Sequence, residues 1–212
     1  MIEIIPNIDS GKITNLNFTN EEMKFDIEVK VFTVVNPNIE NNVGTILEKY
    51  RLLENNTEEY FATNKQTIEK FIEKKVEGFD NFIPDCVVAF LPQDKNRKKL
   101  LELVKAKATN GLNIKKIDIS KNFTKIDSSK SIKKDTLTEK DFILELNNKT
   151  FFKNLLIIDD VIDEGKTVEI FLNKMIEKNF INSLTTIKMI CLYNRPKSKK
   201  TINPLDILRR LK

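Results

Sequence analysis

One stretch of the sequence, residues 155–167, constrains the fold more than any other. It begins with four consecutive aliphatic residues, Leu155–Ile158, which predict a strand buried on both faces of a parallel sheet. Two carboxylates, Asp159 and Asp160, follow at the predicted carboxyl end of the strand, where open α/β sheets bind their ligands. A short polar loop containing Gly165 then leads into a helical pattern. The stretch therefore predicts a strand–loop–helix phosphate site with an acidic pair beside it.

The loop has the residue types that phosphate binding requires. The chain contains only 5 glycines, and Gly165 is the only one after Gly111. A glycine at this place allows a positive φ and a close approach of the backbone to a ligand. Thr167 adds a hydroxyl, and free N–H groups at the helix start would bind a phosphate dianion without a cationic side chain. The acidic pair alone would also fit other α/β proteins, such as response regulators and phosphatases.

Strands and helices alternate along the rest of the chain. The predicted strands are Ile2–Ile5, Lys24–Phe32, Cys86–Leu91, Ile114–Ile119, Phe142–Leu146, Leu155–Ile158 and Thr186–Leu192. Helices are predicted through Ile46 to Leu53, over Thr57–Glu77, over Lys95–Thr109 and from the loop to about Lys178. The segment Ser120–Lys140 has little apolar periodicity and is predicted to be a long, mobile loop with a helical patch. The alternation predicts an α/β fold with a three-layer, doubly wound and mostly parallel sheet.

Length and composition bound the organisation of the chain. With 212 residues, of which 40% are hydrophobic, it is expected to form one large domain with an extension. We place an N-terminal β extension at residues 1–42 and the main domain at 43–212. No apolar run approaches the roughly 18 residues of a membrane helix, and the first residues lack the pattern of a signal peptide. A cytoplasmic location without membrane contact is therefore expected.

Charge and residue types limit the chemistry. The net charge of +5 suits an anionic ligand or contact of the basic tail with nucleic acid, although a generally lysine-rich composition and a solvated tail would give the same value. The chain has no histidine, so acid–base chemistry would depend on carboxylate, Lys, Tyr or Cys side chains. Cys86 and Cys191 lie in apolar runs and are predicted to be buried and reduced.

The stretch Leu155–Thr167 resembles the phosphoribosyl-diphosphate (PRPP) signature of type I phosphoribosyltransferases: an aliphatic strand, two acidic residues, two aliphatic residues and a Thr/Gly-rich loop ending in Thr. Its second half, Asp160–Thr167, is particularly similar to the hypoxanthine phosphoribosyltransferase version, in which Asp-Thr-Gly-Lys-Thr fills the loop. The wider layout, over roughly Gly44–Leu192, is similar to competence-associated ComF-type proteins, without the zinc ribbon that often precedes them. Glu164 departs from the family, which usually has Thr or Gly there.

This resemblance implies a role for each part of the site. Asp159 and Asp160 would accept hydrogen bonds from the ribose diol and lie indirectly at a Mg²⁺ that bridges diphosphate and ribose oxygens. The basic residues after the strand that begins at Cys86 would bind the diphosphate, unless they are a solvated lysine face. The implied diphosphate-binding residues are Lys95, Arg97 and Lys98, and the implied PRPP loop consists of Asp163, Glu164, Gly165, Lys166 and Thr167.

The expected activity is transfer of the phosphoribosyl group of PRPP to a nitrogenous base with release of diphosphate. The resembled purine enzymes keep a candidate base in the loop, and its role would fall on Asp163. The opposing interpretation is a PRPP- or nucleotide-binding regulator without turnover, linked to DNA uptake as in ComF-type proteins. An unrelated α/β phosphate-binding protein is a third. PRPP and a nucleobase-like molecule are the expected partners, and a homodimer is left open.

Overall fold

The structure is a computed structural model that describes residues 2–6, 12–20, 25–35, 59, 62–66, 69–70, 73, 81–92, 95–109, 117–126, 137–146, 150–162 and 165–194. The strands are β1 (Ile2–Pro6), β2 (Lys12–Asn20), β3 (Phe25–Val35), β4 (Cys86–Ala89), β5 (Ile117–Asp118), β6 (Phe123–Lys125), β7 (Phe142–Leu144), β8 (Asn154–Ile162) and β9 (Thr186–Asn194). The helices are α1 (Lys95–Thr109) and α2 (Lys166–Glu177), with a short 3-10 helix at Glu139–Asp141. Residues 59, 62–66, 69–70 and 73 are also helical, within the helix predicted over Thr57–Glu77.

The central sheet has seven strands in the order β1-β2-β3-β9-β8-β4-β5. Five strands run parallel to one another along the sheet, in the order β3-β9-β8-β4-β5, whereas β2 is antiparallel to both β1 and β3. The predicted α/β class with a mostly parallel sheet is confirmed. The N-terminal strands belong to the same sheet as the rest, because β3 pairs with β9 from Val29↔Ile187 to Val35↔Tyr193.

Helices α1 and α2 cover opposite faces of this sheet. Cys86, Val88, Leu155 and Ile157 pack in one core cluster with the apolar face of α2. The residues that alternate with them along β4 and β8 point to the other face, where α1 contacts both strands. The apolar residues of α1 that are buried are Leu100, Leu101, Val104 and Ala108. Because both faces are covered, β8 carries a continuous aliphatic run instead of an alternating pattern.

A small hairpin of β6 and β7 packs on the α2 side through aromatic rings. The rings of Phe123 and Phe142 stack with centroids 5.1 Å apart and an interplanar angle of 4°. Phe123 also contacts Phe90, which directly follows β4, at 5.1 Å and Phe171 of α2 at 5.0 Å. The prediction of a mobile loop over Ser120–Lys140 is therefore wrong for its first part, since burial of Phe123 anchors a strand there. Residues 127–136 lie outside the described residues.

Other sequence predictions differ from the structure mainly at their ends. The organising strand does not end at Ile158 but continues to Ile162, so that Asp159 and Asp160 lie within β8. Helix α1 has the predicted bounds, Lys95–Thr109. Both cysteines are buried and neither forms a disulfide, as predicted. The helix predicted through Ile46 to Leu53 and the basic tail lie outside the described residues. In the part of the chain that the structure describes, no helix is long and apolar enough to cross a membrane.

Candidate functional site

The topology of the sheet places a crevice between β4 and β8. These neighbouring parallel strands are connected in opposite directions: the chain leaves β4 through α1 to β5, and leaves β8 through α2 to β9. In open α/β sheets, ligands bind outside the carboxyl ends of the strands at such a point of divergence. The start of α1 therefore borders the crevice on one side and the end of β8 on the other, as in the predicted site.

An ion pair joins the two sides of this crevice. Nε and Nη2 of Arg97, in the first turn of α1, both contact Oδ2 of Asp160 in β8. The side chain of Asp160 is 7% exposed and that of Arg97 is 33% exposed, so the carboxylate is covered while part of the Arg97 side chain reaches solvent. A buried carboxylate is costly without a partner, and Arg97 supplies the partner. The structure thus brings one predicted diphosphate-binding residue directly onto one predicted diol-binding residue.

Asp159 has a different environment from Asp160. It pairs in register with Cys191, whose side chain belongs to the core cluster on the α2 face, whereas Asp160 lies on the α1 face. Its Oδ1 accepts the backbone N–H of Asp160 at 2.8 Å. Burial, together with the adjacent charge of Asp160, raises the pKa of Asp159 well above its usual range. Asp159 is therefore a group that can hold a proton, and the two carboxylates are not an equivalent pair.

Gly165 begins α2 in a conformation that favours glycine. Its φ of 74° and ψ of 10° lie in the left-handed region, as the sequence led us to expect, and its backbone is buried. The N–H of Glu169 donates to the Gly165 carbonyl at 2.9 Å, so the N–H groups of Lys166 to Val168 precede the first helical bond. Gly165 has no side chain that could cap them. This end of α2 is thus arranged to accept an anion or water.

The loop side chains that the structure describes have distinct positions. Thr167 is half-buried in the first turn of α2. Lys166 is exposed, and its Nζ donates to Glu169 Oε2 at 2.9 Å along the helix surface. Asp163, the predicted base, and Glu164 lie outside the described residues. The structure therefore describes Gly165, Lys166 and Thr167 of the predicted PRPP loop. The roles of Asp163 and Glu164 stay a prediction.

The start of α1 is basic, with no acidic residue in its first turn. Positive charge there opposes the helix dipole, and a bound anion would relieve the conflict. The protein itself supplies part of this negative charge, because Asp160 pairs with Arg97. Lys95 and Lys98 are exposed, and within the described residues they form no ion pair. Lys95 and Lys98 thus place two positive charges at the start of α1, which borders the crevice.

A polar network that the sequence did not indicate fixes the end of β4. The hydroxyl of Ser120 accepts the N–H of Ala89 at 2.8 Å and donates to Asp118 Oδ1 at 2.6 Å. Asp118 Oδ2 also accepts from Lys105 of α1 at 2.9 Å. Partial burial would raise the pKa of Asp118, but the hydrogen bonds from Lys105 and Ser120 lower it overall. The Asp-Ile-Ser spacing was the only available signal, since Asp and Ser favour such local bonds.

The described residues do not by themselves form a metal cage. Among them there is no group of three or more His, Cys, Asp or Glu side chains that could hold an ion. Asp160 is paired with Arg97, and burial together with the charge of Asp160 raises the pKa of Asp159.

Comparison with known proteins adds no family. The chain matches no protein-family model, and a search of curated proteins finds no match. The case for a function therefore depends on the signature at residues 155–167 and on the geometry at the carboxyl ends of β4 and β8.

Proposed function

We propose that this protein has the type I phosphoribosyltransferase fold, binds PRPP and transfers its phosphoribosyl group to a nitrogenous base with release of diphosphate. The observation that carries the proposal is the position of three predicted elements around one crevice. The left-handed Gly165 and the start of α2 lie after β8, the acidic pair lies in β8, and the basic start of α1 faces Asp160. A cytoplasmic location is part of the proposal.

Each element matches one part of PRPP. The start of α2 would bind the 5-phosphate through backbone N–H groups, because Gly165 lets the backbone approach closely. Asp160 and Asp159 would bind the ribose diol, and the basic turn of α1 would bind the diphosphate. Three anionic or polar groups of one ligand would thus meet three complementary groups of the protein.

In the proposed reaction, the bond between the ribose C1 and the diphosphate oxygen breaks, and a bond from C1 to a nitrogen of the base forms. The electron pair of the broken bond leaves with the diphosphate, whose charge Lys95, Arg97 and Lys98 would stabilise. The proton of the attacking nitrogen would pass to Asp163. When bound, Mg²⁺ would neutralise part of the charge on the diphosphate.

The second candidate is a PRPP- or nucleotide-binding regulator without turnover, linked to DNA uptake as in the ComF-type proteins that the layout resembles. Glu164 favours it, because a carboxylate in the phosphate loop repels a phosphate unless its side chain points outward. The Arg97–Asp160 pair is compatible with both candidates, since binding and turnover both require access to Asp160.

Calorimetry with PRPP, AMP, GMP and UMP in the presence of Mg²⁺ tests whether the site binds these ligands, and a diphosphate-release assay with a set of nucleobases tests turnover. For an enzyme, Asp163→Asn should lower the release rate on the order of 10²-fold and change PRPP affinity by only a few fold. PRPP binding without base-dependent release would favour the regulator. Failure of PRPP to bind would refute the enzyme, and failure of PRPP and all three nucleotides to bind would refute both candidates.

A further inference from the structure

We propose that Arg97 makes this site selective for ligands that carry a diphosphate and a ribose diol together, because it stays paired with Asp160 until a diphosphate draws it away. The inference rests on the proposed function and specifies the class of ligand that the site accepts. The proposed function requires only that both residues contact the ligand, whereas here each residue blocks the other until both are engaged.

The exposure of the two side chains indicates which of them a ligand would reach first. Asp160 is covered, with a 7% exposed side chain. Nε and Nη2 of Arg97 both contact its Oδ2. A ribose hydroxyl cannot donate to that oxygen while the guanidinium occupies it. Arg97 is one-third exposed and lies in the basic first turn of α1, so an anion can approach it from solvent without opening the core. The exchange therefore begins at Arg97.

Charge balance explains why the ligand must carry a ribose diol as well as a diphosphate. When Arg97 turns to a diphosphate, Asp160 is left as a buried carboxylate without its partner, which is strongly unfavourable. Two ribose hydroxyls can donate to it and replace the lost contacts. A diphosphate alone leaves Asp160 unpaired, and a ribose 5-phosphate alone has no group that removes Arg97. Only a ligand with both groups satisfies both residues, and PRPP is such a ligand.

A double-mutant cycle measures this coupling. Inorganic diphosphate, ribose 5-phosphate and PRPP are titrated calorimetrically at fixed Mg²⁺ into the parent, Asp160→Asn, Arg97→Gln and the double variant. Asp160→Asn removes the carboxylate charge that Arg97 contacts and should tighten inorganic diphosphate binding on the order of tenfold, as expected from one charge-assisted hydrogen bond. In the Arg97→Gln background, the same substitution should give no gain.

The single Arg97→Gln change should weaken PRPP and strengthen ribose 5-phosphate, since Asp160 is then open to the diol. Arg97→Gln leaves a buried carboxylate and could impair folding, so the double variant, whose Gln and Asn can bond to each other, provides a folded reference. Asp118→Asn removes the charge of a carboxylate in the neighbouring strand β5, outside the predicted site, and controls for a general electrostatic effect. Lys98→Gln removes one charge from the same turn of α1 and should weaken PRPP without strengthening ribose 5-phosphate.

Three results would overturn the inference. The first is an equal gain in diphosphate affinity from Asp118→Asn and Asp160→Asn, and the second is a gain that persists without Arg97. Either result, with PRPP binding by the parent, would leave the proposed function intact and identify the ion pair as purely structural. The third is a parent that does not bind PRPP, which would overturn the proposed function and this inference with it.

Discussion

At the scale of single residues, Gly165 is the position where the addition of one carbon should have the largest effect on the site. Its φ of 74° disfavours any residue with a Cβ by about 1–2 kcal/mol. The same Cβ would also enter the space where a phosphate would contact the start of α2. Stability and binding are therefore affected together, and a control is needed to separate them.

Gly165→Ala is expected to lower the free energy of unfolding by about 1 kcal/mol and to weaken PRPP binding more than tenfold. Asn179, at the other end of α2, has a φ of 57° and provides the matched control. Asn179→Ala should cause a similar loss of stability without a change in PRPP affinity. Urea unfolding and calorimetry give both quantities. If Gly165→Ala binds PRPP as tightly as the control, the loop does not hold the phosphate.

Asp118 gives the molecule a pH dependence whose sign is fixed by its environment. Its pKa is lower in the folded chain than in the unfolded one, because the bonds from Lys105 and Ser120 outweigh partial burial. Its contribution is therefore fully present above the unfolded pKa, near pH 4, and is lost as the pH falls through the folded pKa. The side chain is 49% exposed, so the contribution is expected to stay below about 1 kcal/mol.

We expect Asp118→Asn to be less stable than the parent at neutral pH and to approach it as the pH falls below about 4 through the lowered pKa of the folded parent. Urea unfolding of both proteins across this range measures the difference. Lys105→Met removes the cation instead and should converge with the parent in the same way. A difference that stays constant with pH would mean that packing, not charge, is responsible.

At the scale of elements, the end of α2 is closed by two backbone bonds around Asn179. The N–H of Asn179 donates to the Ile176 carbonyl at 2.8 Å, and the N–H of Phe180 donates to the Met175 carbonyl at 2.9 Å. This is the Schellman arrangement, in which the residue after the cap is usually glycine. Phe180 is buried next to it, so the turn also directs the chain back into the core.

Asn179→Gly should raise the free energy of unfolding by about 0.5 kcal/mol, because glycine adopts the left-handed conformation without a Cβ. Asn179→Ala should lower it, so the two substitutions are expected to differ in sign. Chemical denaturation of the three proteins at one pH decides the matter. Equal destabilisation by both would show that the Asn side chain itself, and not the backbone conformation, closes the helix.

The elements show what the sequence could and could not reveal. Helix α1 was predicted with its observed bounds, since its buried residues recur at helical spacing. Strand β6 was missed because it is three residues long and its only buried residue is Phe123. Strand β8 was predicted to end before Asp159, because charged residues are usually absent from a buried strand. The partner that permits Asp160 there is Arg97, 63 positions earlier in the chain, and a local pattern cannot show such a pair.

At the scale of the whole molecule, β3 connects the N-terminal strands to the sheet that carries the site. Because β3 pairs with β9, the sheet continues without a break from the predicted extension, residues 1–42, into the predicted domain, residues 43–212. Removal of the extension would expose the backbone N–H and C=O groups of β9. An unpaired strand edge favours association with other chains.

A chain that begins at residue 43 is therefore expected to unfold at a lower temperature and to self-associate, as measured by thermal unfolding and light scattering. A chain that begins at residue 21 lacks β1 and β2 but keeps β3 on β9, and it is the matched control. We expect this control to stay closer to the parent in both measurements. A shorter chain that behaves like the parent would show that residues 43–212 form an independent domain.

The strand order also sets the sequence of events during synthesis on the ribosome. Strands β8 and β9, from residues 154–194, lie between β3 and β4, which are made much earlier. Until the later pair emerges, the earlier strands have no neighbours on their inner sides, and neither Asp160 nor Gly165 exists to complete the crevice. The crevice can therefore form only after β9 has been translated, and until then the earlier strands keep open edges. Interrupted translation would release fragments that lack the site and are prone to aggregate.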